Sequence, residues 1–255
     1  MVSEYTEYKI IDIRKNKDSL NIIRIKHKQK VTPGQFFIAG ALGFGEETLP
    51  VSFSDGENLE LSFFEKSEAA KKIQELKKKD LILLRGPYGH GFPMNNLRHK
   101  EIFIIGENTL FAPLSAAISY IGQSREYYEK VSVIVLFKQE GDELPDALKK
   151  TDGKADTKSE THVIKARSLE EIKKTVTGSE NAMHAEYLLS LGNKELKEIL
   201  LFLKEKGISE RQVYFYLNRK ISCGKGICGS CAVFGIHACI DGPVIRADRL
   251  TGFFE

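Results

Sequence analysis

The 255-residue chain contains four cysteines, Cys223, Cys228, Cys231 and Cys239, in the order C-x4-C-x2-C-x7-C. A C-x4-C-x2-C run followed by a further thiolate is a spacing that holds a [2Fe–2S] cluster. The intervals are so short that the backbone must wrap a compact object. Gly224, Gly226 and Gly229 permit this, because glycine accepts positive φ and lets the main chain approach closely. N–H groups exposed in this way can donate to the sulfurs and tune the potential. Structural zinc also takes four thiolates, but usually from paired C-x2–4-C knuckles, and the Cys223–Cys228 offset departs from that pattern. A Rieske centre needs two histidines on one iron, so His237, between the third and fourth cysteines, reads as a loop residue beside the ligands. Disulfides are disfavoured because Met1-Val2-Ser3-Glu4-Tyr5 has no charged-then-apolar secretory pattern.

The length suffices for two compact domains. Composition is that of an ordinary globular protein, 42% hydrophobic and 29% charged. A formal net charge of +3 is too small to indicate nucleic acid, and interspersed Lys and Glu read as solvated surface. The longest apolar runs, such as 131–137, are strand-sized, so no membrane span is expected. With no signal pattern the expected location is the cytoplasm, where thiols stay reduced and clustered cysteines indicate metal or redox chemistry. No internal repeat is visible.

The elements that must position the cysteines follow from periodicity. Residues 1–97 read as β-rich. Tyr8–Ile13, Leu20–Ile25 and Leu59–Phe64 have strand patterns, and Thr32-Pro33-Gly34-Gln35 is a turn entering another strand. Lys66–Lys79, with Ile73 and Leu76 on one face, predicts a short helix, and 80–84 returns to strand. Many short strands with one helix predict a small antiparallel barrel. Residues 98–217 change character. Glu101–Ile105 and Val131–Phe137 are continuous apolar strands suited to a buried parallel sheet. Phe111–Ile121 reads as a helix with Pro113 in its first turn. Gln139–Thr161 reads as a mobile polar loop. Further strands are expected at 161–166, 187–191 and 213–217, and a helix at 194–206. Alternation of strands and helices predicts an α/β domain. Residues 218–255 hold the cysteines and end in a turn and strand, Asp241–Ile245.

In this order the chain resembles the ferredoxin–NADP reductase superfamily. Within it, the likeness is to the branch with an iron–sulfur tail: dihydroorotate dehydrogenase electron-transfer subunits, sulfhydrogenase gamma subunits and anaerobic sulfite reductase subunits. Pro33-Gly34-Gln35-Phe36 resembles P-G-Q-F, and Arg85-Gly86-Pro87-Tyr88-Gly89-His90-Gly91-Phe92 resembles G-P-x-G-x-G-F. Leu49-Pro50-Val51-Ser52 stands where the family has R-P-x-S. Ala112-Pro113-Leu114 resembles the A-P-L that closes its glycine-rich loop, and Asp241-Gly242-Pro243-Val244 its cluster-binding end. The resemblance implies FAD on the barrel, NAD(P)H on the α/β domain, and electrons passing between nicotinamide, flavin and cluster to a partner subunit. By resemblance, Pro50, Val51, Ser52 and Ser67 are the candidate FAD contacts, and Tyr88 and Phe92 are aromatics able to stack on a flavin or cap the barrel.

The departures concern charge and bulk. Leu49 replaces the arginine near the FAD pyrophosphate, and the family's G-x-x-T falls on Ser67-Glu68-Ala69-Ala70. A pyrophosphate needs cationic or N–H donors in place of its hydration, so FAD is left open. The glycine-rich loop reads Gly106-Glu107-Asn108-Thr109-Leu110-Phe111, where a dinucleotide needs bare glycines. C-G-P-x-x-M reads Leu191-Gly192-Asn193-Lys194-Glu195-Leu196. NAD(P) is therefore not expected. No acid, base or nucleophile set is evident. Tyr214, Phe215 and Tyr216, just before the cysteines, read as core.

The expectation is an accessory subunit rather than a complete enzyme. It would transfer single electrons through a [2Fe–2S] cluster on Cys223, Cys228, Cys231 and Cys239, within a hetero-oligomer. By resemblance the catalytic flavoprotein partner is of the dihydroorotate dehydrogenase type, in pyrimidine biosynthesis. The alternatives are an NAD(P)H-oxidising FAD/[2Fe–2S] reductase subunit of a hydrogenase or sulfite reductase, and a non-redox scaffold with structural zinc.

Overall fold

The computed structural model describes residues 5–15, 20–139, 143–145, 148 and 161–250. Most of the expected 139–161 loop lies outside the described residues. Six antiparallel strands close the expected barrel: β1 (Thr6–Lys15), β2 (Leu20–Lys26), β3 (Phe36–Ala41), β4 (Gly45–Ser54), β5 (Asn58–Phe64) and β6 (Leu81–Tyr88), in the order β1-β2-β5-β4-β3-β6. Their inward side chains, among them Ile23, Ile25, Phe37, Leu49 and Leu61, form one buried core. β4 was not expected from the sequence because it begins with Gly45-Glu46-Glu47. It pairs all the same, residue for residue, with β3 from Phe36↔Pro50 to Ala41↔Gly45.

The helix expected over 66–79 is shorter, α1 (Glu68–Gln74), capped by the Ser67 hydroxyl, which accepts from the Ala70 N–H at 3.0 Å. The chain then turns through Lys79 at φ +83°, and the Asp80 carboxylate accepts from the Lys77 N–H at 2.8 Å. β6 runs on through Arg85-Gly86-Pro87-Tyr88, four residues beyond the strand expected over 80–84.

The second sheet has the order β14-β11-β10-β7-β8-β9. Its strands are β7 (Ile102–Glu107), β8 (Val131–Leu136), β9 (Thr161–Ala166), β10 (Glu186–Ser190), β11 (Val213–Tyr216) and β14 (Val244–Arg246). All but β14 pair in parallel. β8 and β10 are buried along their whole length and β7 nearly so, as continuous apolar strands between helices require. Phe103 and Tyr187 sit opposite each other on β7 and β10, with rings stacked 9° from parallel and 5.2 Å apart. Helices α2 (Ala112–Gln123), α3 (Leu169–Thr177) and α4 (Asn193–Glu205) cover the sheet. α2 also packs across β4 and so joins the two bodies. α3 was not foreseen, although Ser168, three residues before Glu171, is a helix-start signal. Its hydroxyl accepts from the Glu171 N–H at 3.3 Å. Among the described residues no helix is long and apolar enough to cross a membrane.

The cysteine segment is stitched into this frame. It leaves β11 at Leu217 and returns as β14, antiparallel to β11, with the Leu217 N–H donating to the Pro243 carbonyl at 2.7 Å. Between them lies a two-residue hairpin pair, β12 (Ala232–Val233) and β13 (Ile236–His237). Val233, Ile236, Cys231 and Cys239 belong to the same buried core as Phe103 and Tyr187. A second seam joins β6 to the tail, where His90 bridges to Pro243. Gly89, at φ +75°, leaves no room for a side chain: a Cβ would lie 2.2 Å from the Gly242 carbonyl oxygen and 2.6 Å from Pro243. Gly89→Ala is expected to destabilise the fold by about 1–3 kcal/mol, from backbone strain and the seam collision together. A lowered urea midpoint checks this; an unchanged midpoint would show that the seam yields freely.

Candidate metal centre and adjoining groove

The sequence brings the four sulfurs to one place by turning tightly. Gly224, Gly226 and Gly229 all adopt left-handed backbone, φ +71° to +73°. At Gly224 the reason is visible: a Cβ would meet the Tyr88 ring at 3.2 Å and the Arg85 guanidinium at 3.3 Å. These turns aim main-chain donors at sulfur. The Lys225 N–H donates to Cys223 Sγ at 3.3 Å, and the Gly226 N–H to Cys239 Sγ at 3.1 Å.

Cys223 neighbours Cys228 and Cys239 neighbours Cys231, and Cys223 also lies near enough to Cys239 to act on its thiol. Among the described residues no three His, Cys, Asp or Glu side chains gather as a site for a single ion. The thiols differ in environment. Cys231 and Cys239 are buried, Cys228 is exposed and Cys223 is between. Backbone N–H groups of Cys228, Lys225 and Ile227 pull the Cys223 thiol down to about 6. The Ser230 hydroxyl, 3.1 Å from Cys228 Sγ, lowers that thiol as well. Burial, with the Cys231 thiol alongside, pushes Cys239 up to about 12. Four neighbouring thiols, with N–H donors already directed at sulfur, suit a two-iron cluster. The backbone of His237 is tied to Asp241: its main-chain N–H donates to the Asp241 carboxylate at 2.8 Å, and the Asp241 N–H donates to the His237 carbonyl at 2.8 Å. Around the loop Ile227, Phe234 and Ile240 are exposed.

The barrel grips the entry to this loop. Thr48 Oγ1 donates to the Ile221 carbonyl at 3.1 Å, and Arg85 donates to the carbonyls of Ser222 at 2.8 Å and Cys223 at 2.7 Å. Arg85 is only 7% exposed. Its other partners are the Glu46 carboxylate, at 2.7 and 3.1 Å, and the Tyr88 hydroxyl at 3.2 Å. Sequence reasoning quoted Arg85 only as the first residue of the stretch resembling G-P-x-G-x-G-F and missed Glu46 and Thr48. The alternation of β6 sends Ile82 and Leu84 into the barrel core and Arg85 to its outer face, against the tail.

A groove of about 760 Å³ runs between the barrel and residues 216–222, a size typical of ligand sites, and a smaller cavity of about 170 Å³ adjoins it. Pro50 lines both and Ser67 lines the larger. Val51 points into the barrel core. Ser52 donates to the Glu60 carbonyl at 3.2 Å and lines a different cavity, with Ser115 and Ser119. The four candidate flavin contacts therefore do not share one wall. At the position of the family's phosphate anchor, the Ser67 hydroxyl is engaged by the Glu47 carboxylate at 2.5 Å. Lys66, Arg219 and Lys220 are the cations along the same groove. The groove has the volume for a flavin, whereas a pyrophosphate at Ser67 would meet Glu47. Of the aromatics, Phe92, Phe215 and Tyr216 are buried, Tyr214 is half-buried, and Tyr88 packs on Gly224.

At the carboxyl edge of the second sheet, where doubly wound folds bind dinucleotides, the space is taken by an ion network. Lys138 Nζ bridges Glu107 at 2.9 Å and Glu195 at 2.8 Å. The Gly192 N–H donates to Glu107 at 3.3 Å, and the Thr109 hydroxyl to the same carboxylate at 2.9 Å. Glu195 is held below its usual range chiefly by Lys138.

Residues 218–251 match the family model of the iron–sulfur cluster binding domain of dihydroorotate dehydrogenase B. Curated relatives span most of the chain. The sulfhydrogenase 2 gamma subunit of Pyrococcus furiosus is 29% identical over 83% of this chain and 82% of its own. A probable dihydroorotate dehydrogenase B (NAD(+)) electron transfer subunit of Thermoplasma volcanium is 28% identical over 96% and 90%. Among solved structures, an NADH-dependent reduced ferredoxin–NADP oxidoreductase chain superposes with TM-score 0.74 at 17% identity, covering 97% of this chain and 92% of that one. A ferredoxin–NADP+ reductase of Plasmodium falciparum gives 0.69 at 17% identity, over 84% and 96%.

In the metal-free protein, iodoacetamide should label Cys223 with a pH midpoint near 6. The thiolate is the nucleophile, so the rate at pH 5 should be roughly tenfold below its plateau, with little change between pH 7 and 8. Peptide mapping of the labelled protein checks this, and a midpoint near 9 would contradict the N–H cradle. Taken together, the tail is similar to the iron–sulfur binding domain of dihydroorotate dehydrogenase B, the whole chain is similar to electron-transfer subunits of that enzyme and to sulfhydrogenase gamma subunits, and its fold is that of ferredoxin–NADP reductase.

Proposed function

We propose that the chain transfers single electrons, through a [2Fe–2S] cluster held by Cys223, Cys228, Cys231 and Cys239, to or from a catalytic flavoprotein subunit of the dihydroorotate dehydrogenase type, in the cytoplasm and in pyrimidine biosynthesis. The observation that carries this reading is the set of four neighbouring thiols with the Lys225 and Gly226 N–H groups directed at two of them. The cluster supplies one-electron chemistry without proton transfer. The chain's own part is to hold the thiolates, to donate to their sulfurs, which favours the reduced state, and to keep Cys231 and Cys239 from water. The exposed apolar residues Ile227, Phe234 and Ile240 give a partner surface beside the loop. The division of labour in this reading is a flavin-binding-like barrel at 1–97, a nucleotide-binding-like frame at 98–217 and a cluster segment at 218–255.

Electrons are proposed to leave to an acceptor other than NAD(P)+, although the curated dihydroorotate relatives carry NAD(+) in their names. The support is the Glu107–Lys138–Glu195 network, which puts two carboxylates at the edge where a dinucleotide would bring phosphates. FAD in the groove is not required by this reading. The likeness to sulfhydrogenase gamma subunits favours a second reading, in which the partner is a hydrogenase.

Anaerobic purification with iron, sulfide, zinc and FAD assayed on one sample tests the cluster. Two irons and two acid-labile sulfides per chain are expected, with visible absorbance that bleaches on reduction and is lost in Cys231→Ser. A colourless protein with one zinc would reject it in favour of a structural metal. For the partner, the complex with its dehydrogenase subunit should oxidise dihydroorotate with an artificial dye and leave NAD+ unreduced. Efficient NAD+ reduction would overturn the proposed acceptor, and hydrogen-dependent reduction would move the partner to the hydrogenase class.

A further inference from the structure

Three consecutive carbonyls, those of Ile221, Ser222 and Cys223, each accept a hydrogen bond from a barrel side chain, at 3.1, 2.8 and 2.7 Å. Two of the three bonds come from one guanidinium. Arg85 is fixed on its other edge by Glu46 at 2.7 and 3.1 Å, and it lies over the rings of Tyr5 and Tyr88 at 5.7 and 5.6 Å. It is therefore a pre-organised fork, held before the loop reaches it. The loop is pressed against the same pair of residues, since Gly224 has room only for hydrogen beside Tyr88 and Arg85 Nη1.

We infer that Arg85 is a positioning residue for electron transfer: its fork holds the peptide groups on either side of Cys223 and so sets where the first cluster ligand stands. This rests on the proposed cluster and goes beyond it by assigning a barrel residue to the centre. Arg85 touches no sulfur and acts through the carbonyl of the ligand residue. Its charge is a second contribution. A cation beside a cluster favours the more negative, reduced state.

Lysine can replace the charge but not the fork, because one ammonium cannot span both carbonyls and Glu46 in Arg85's planar geometry. The test compares the anaerobically purified wild-type chain with Arg85→Lys, Arg85→Met and Thr48→Val. Three readouts are taken: iron release to a chelator, the cluster midpoint potential, and thermal melting of the metal-free protein. Arg85→Lys should release iron several-fold faster, by more than any lowering of its melting temperature accounts for. Its potential should stay near the wild-type value, while Arg85→Met should shift to a more negative one. Thr48→Val, which loses only the Ile221 bond, should fall between wild type and Arg85→Lys in release rate. Wild-type release and potential in both Arg85 variants would overturn the inference, as would faster release that only tracks a lowered melting temperature. If Arg85→Met does not fold, release from Arg85→Lys decides the matter alone. A wild-type chain that takes up no iron would instead reject the proposed cluster.

Discussion

Everything around the cysteines depends on the tail returning to the sheet it left. Residues 218–243 depart from β11 and come back as β14, paired antiparallel to β11, with the Leu217 N–H on the Pro243 carbonyl at the base. Ordering such an excursion costs conformational entropy at every residue. The cost is offset where side chains are buried, and here Val233, Ile236, Cys231 and Cys239 join the main core. One pair of thiols is therefore part of a packed interior, while the other stands at the surface, held from outside by the barrel.

Charge is distributed with the same asymmetry. At the cysteine loop the partial charges are positive: N–H groups at sulfur and a guanidinium on the Cys223 carbonyl. At the two places where the fold usually takes phosphates, carboxylates stand instead. Glu47 engages Ser67 in the groove, and Glu107 is tied to Lys138 and Gly192 at the sheet edge. An internal ion pair stands where doubly wound folds usually carry bare glycines, and the tail joins the same sheet through β14.

The barrel, the alternating sheet and the cysteine spacing were legible because each rests on a short-range pattern: strand alternation, buried apolar runs such as Val131–Leu136, and glycines between ligands. β4 was hidden because Glu46 and Glu47 are polar for reasons that lie elsewhere in the fold, in Arg85 and Ser67. The helix over 66–79 was read too long, since Lys77–Lys79 continue its composition although the helix closes at Glu75 and Leu76, whose N–H groups donate to the Lys72 and Ile73 carbonyls. In the site, resemblance placed Pro50, Val51, Ser52 and Ser67 together, but strand alternation sends Val51 inward and Ser52 to another cavity. Arg85 could not be read as part of the centre, because nothing local to residue 85 announces a partner 138 residues away.

That separation also orders events during synthesis. Thr48 and Arg85 lie in the first third of the chain, and the carbonyls they hold are 173 and 137 to 138 residues later. Domains near the start of a chain fold as units while the remainder is still being made. The barrel that grips the cysteine loop can thus be complete on the ribosome before any cysteine has been translated. The four thiols then arrive at a surface that is already finished.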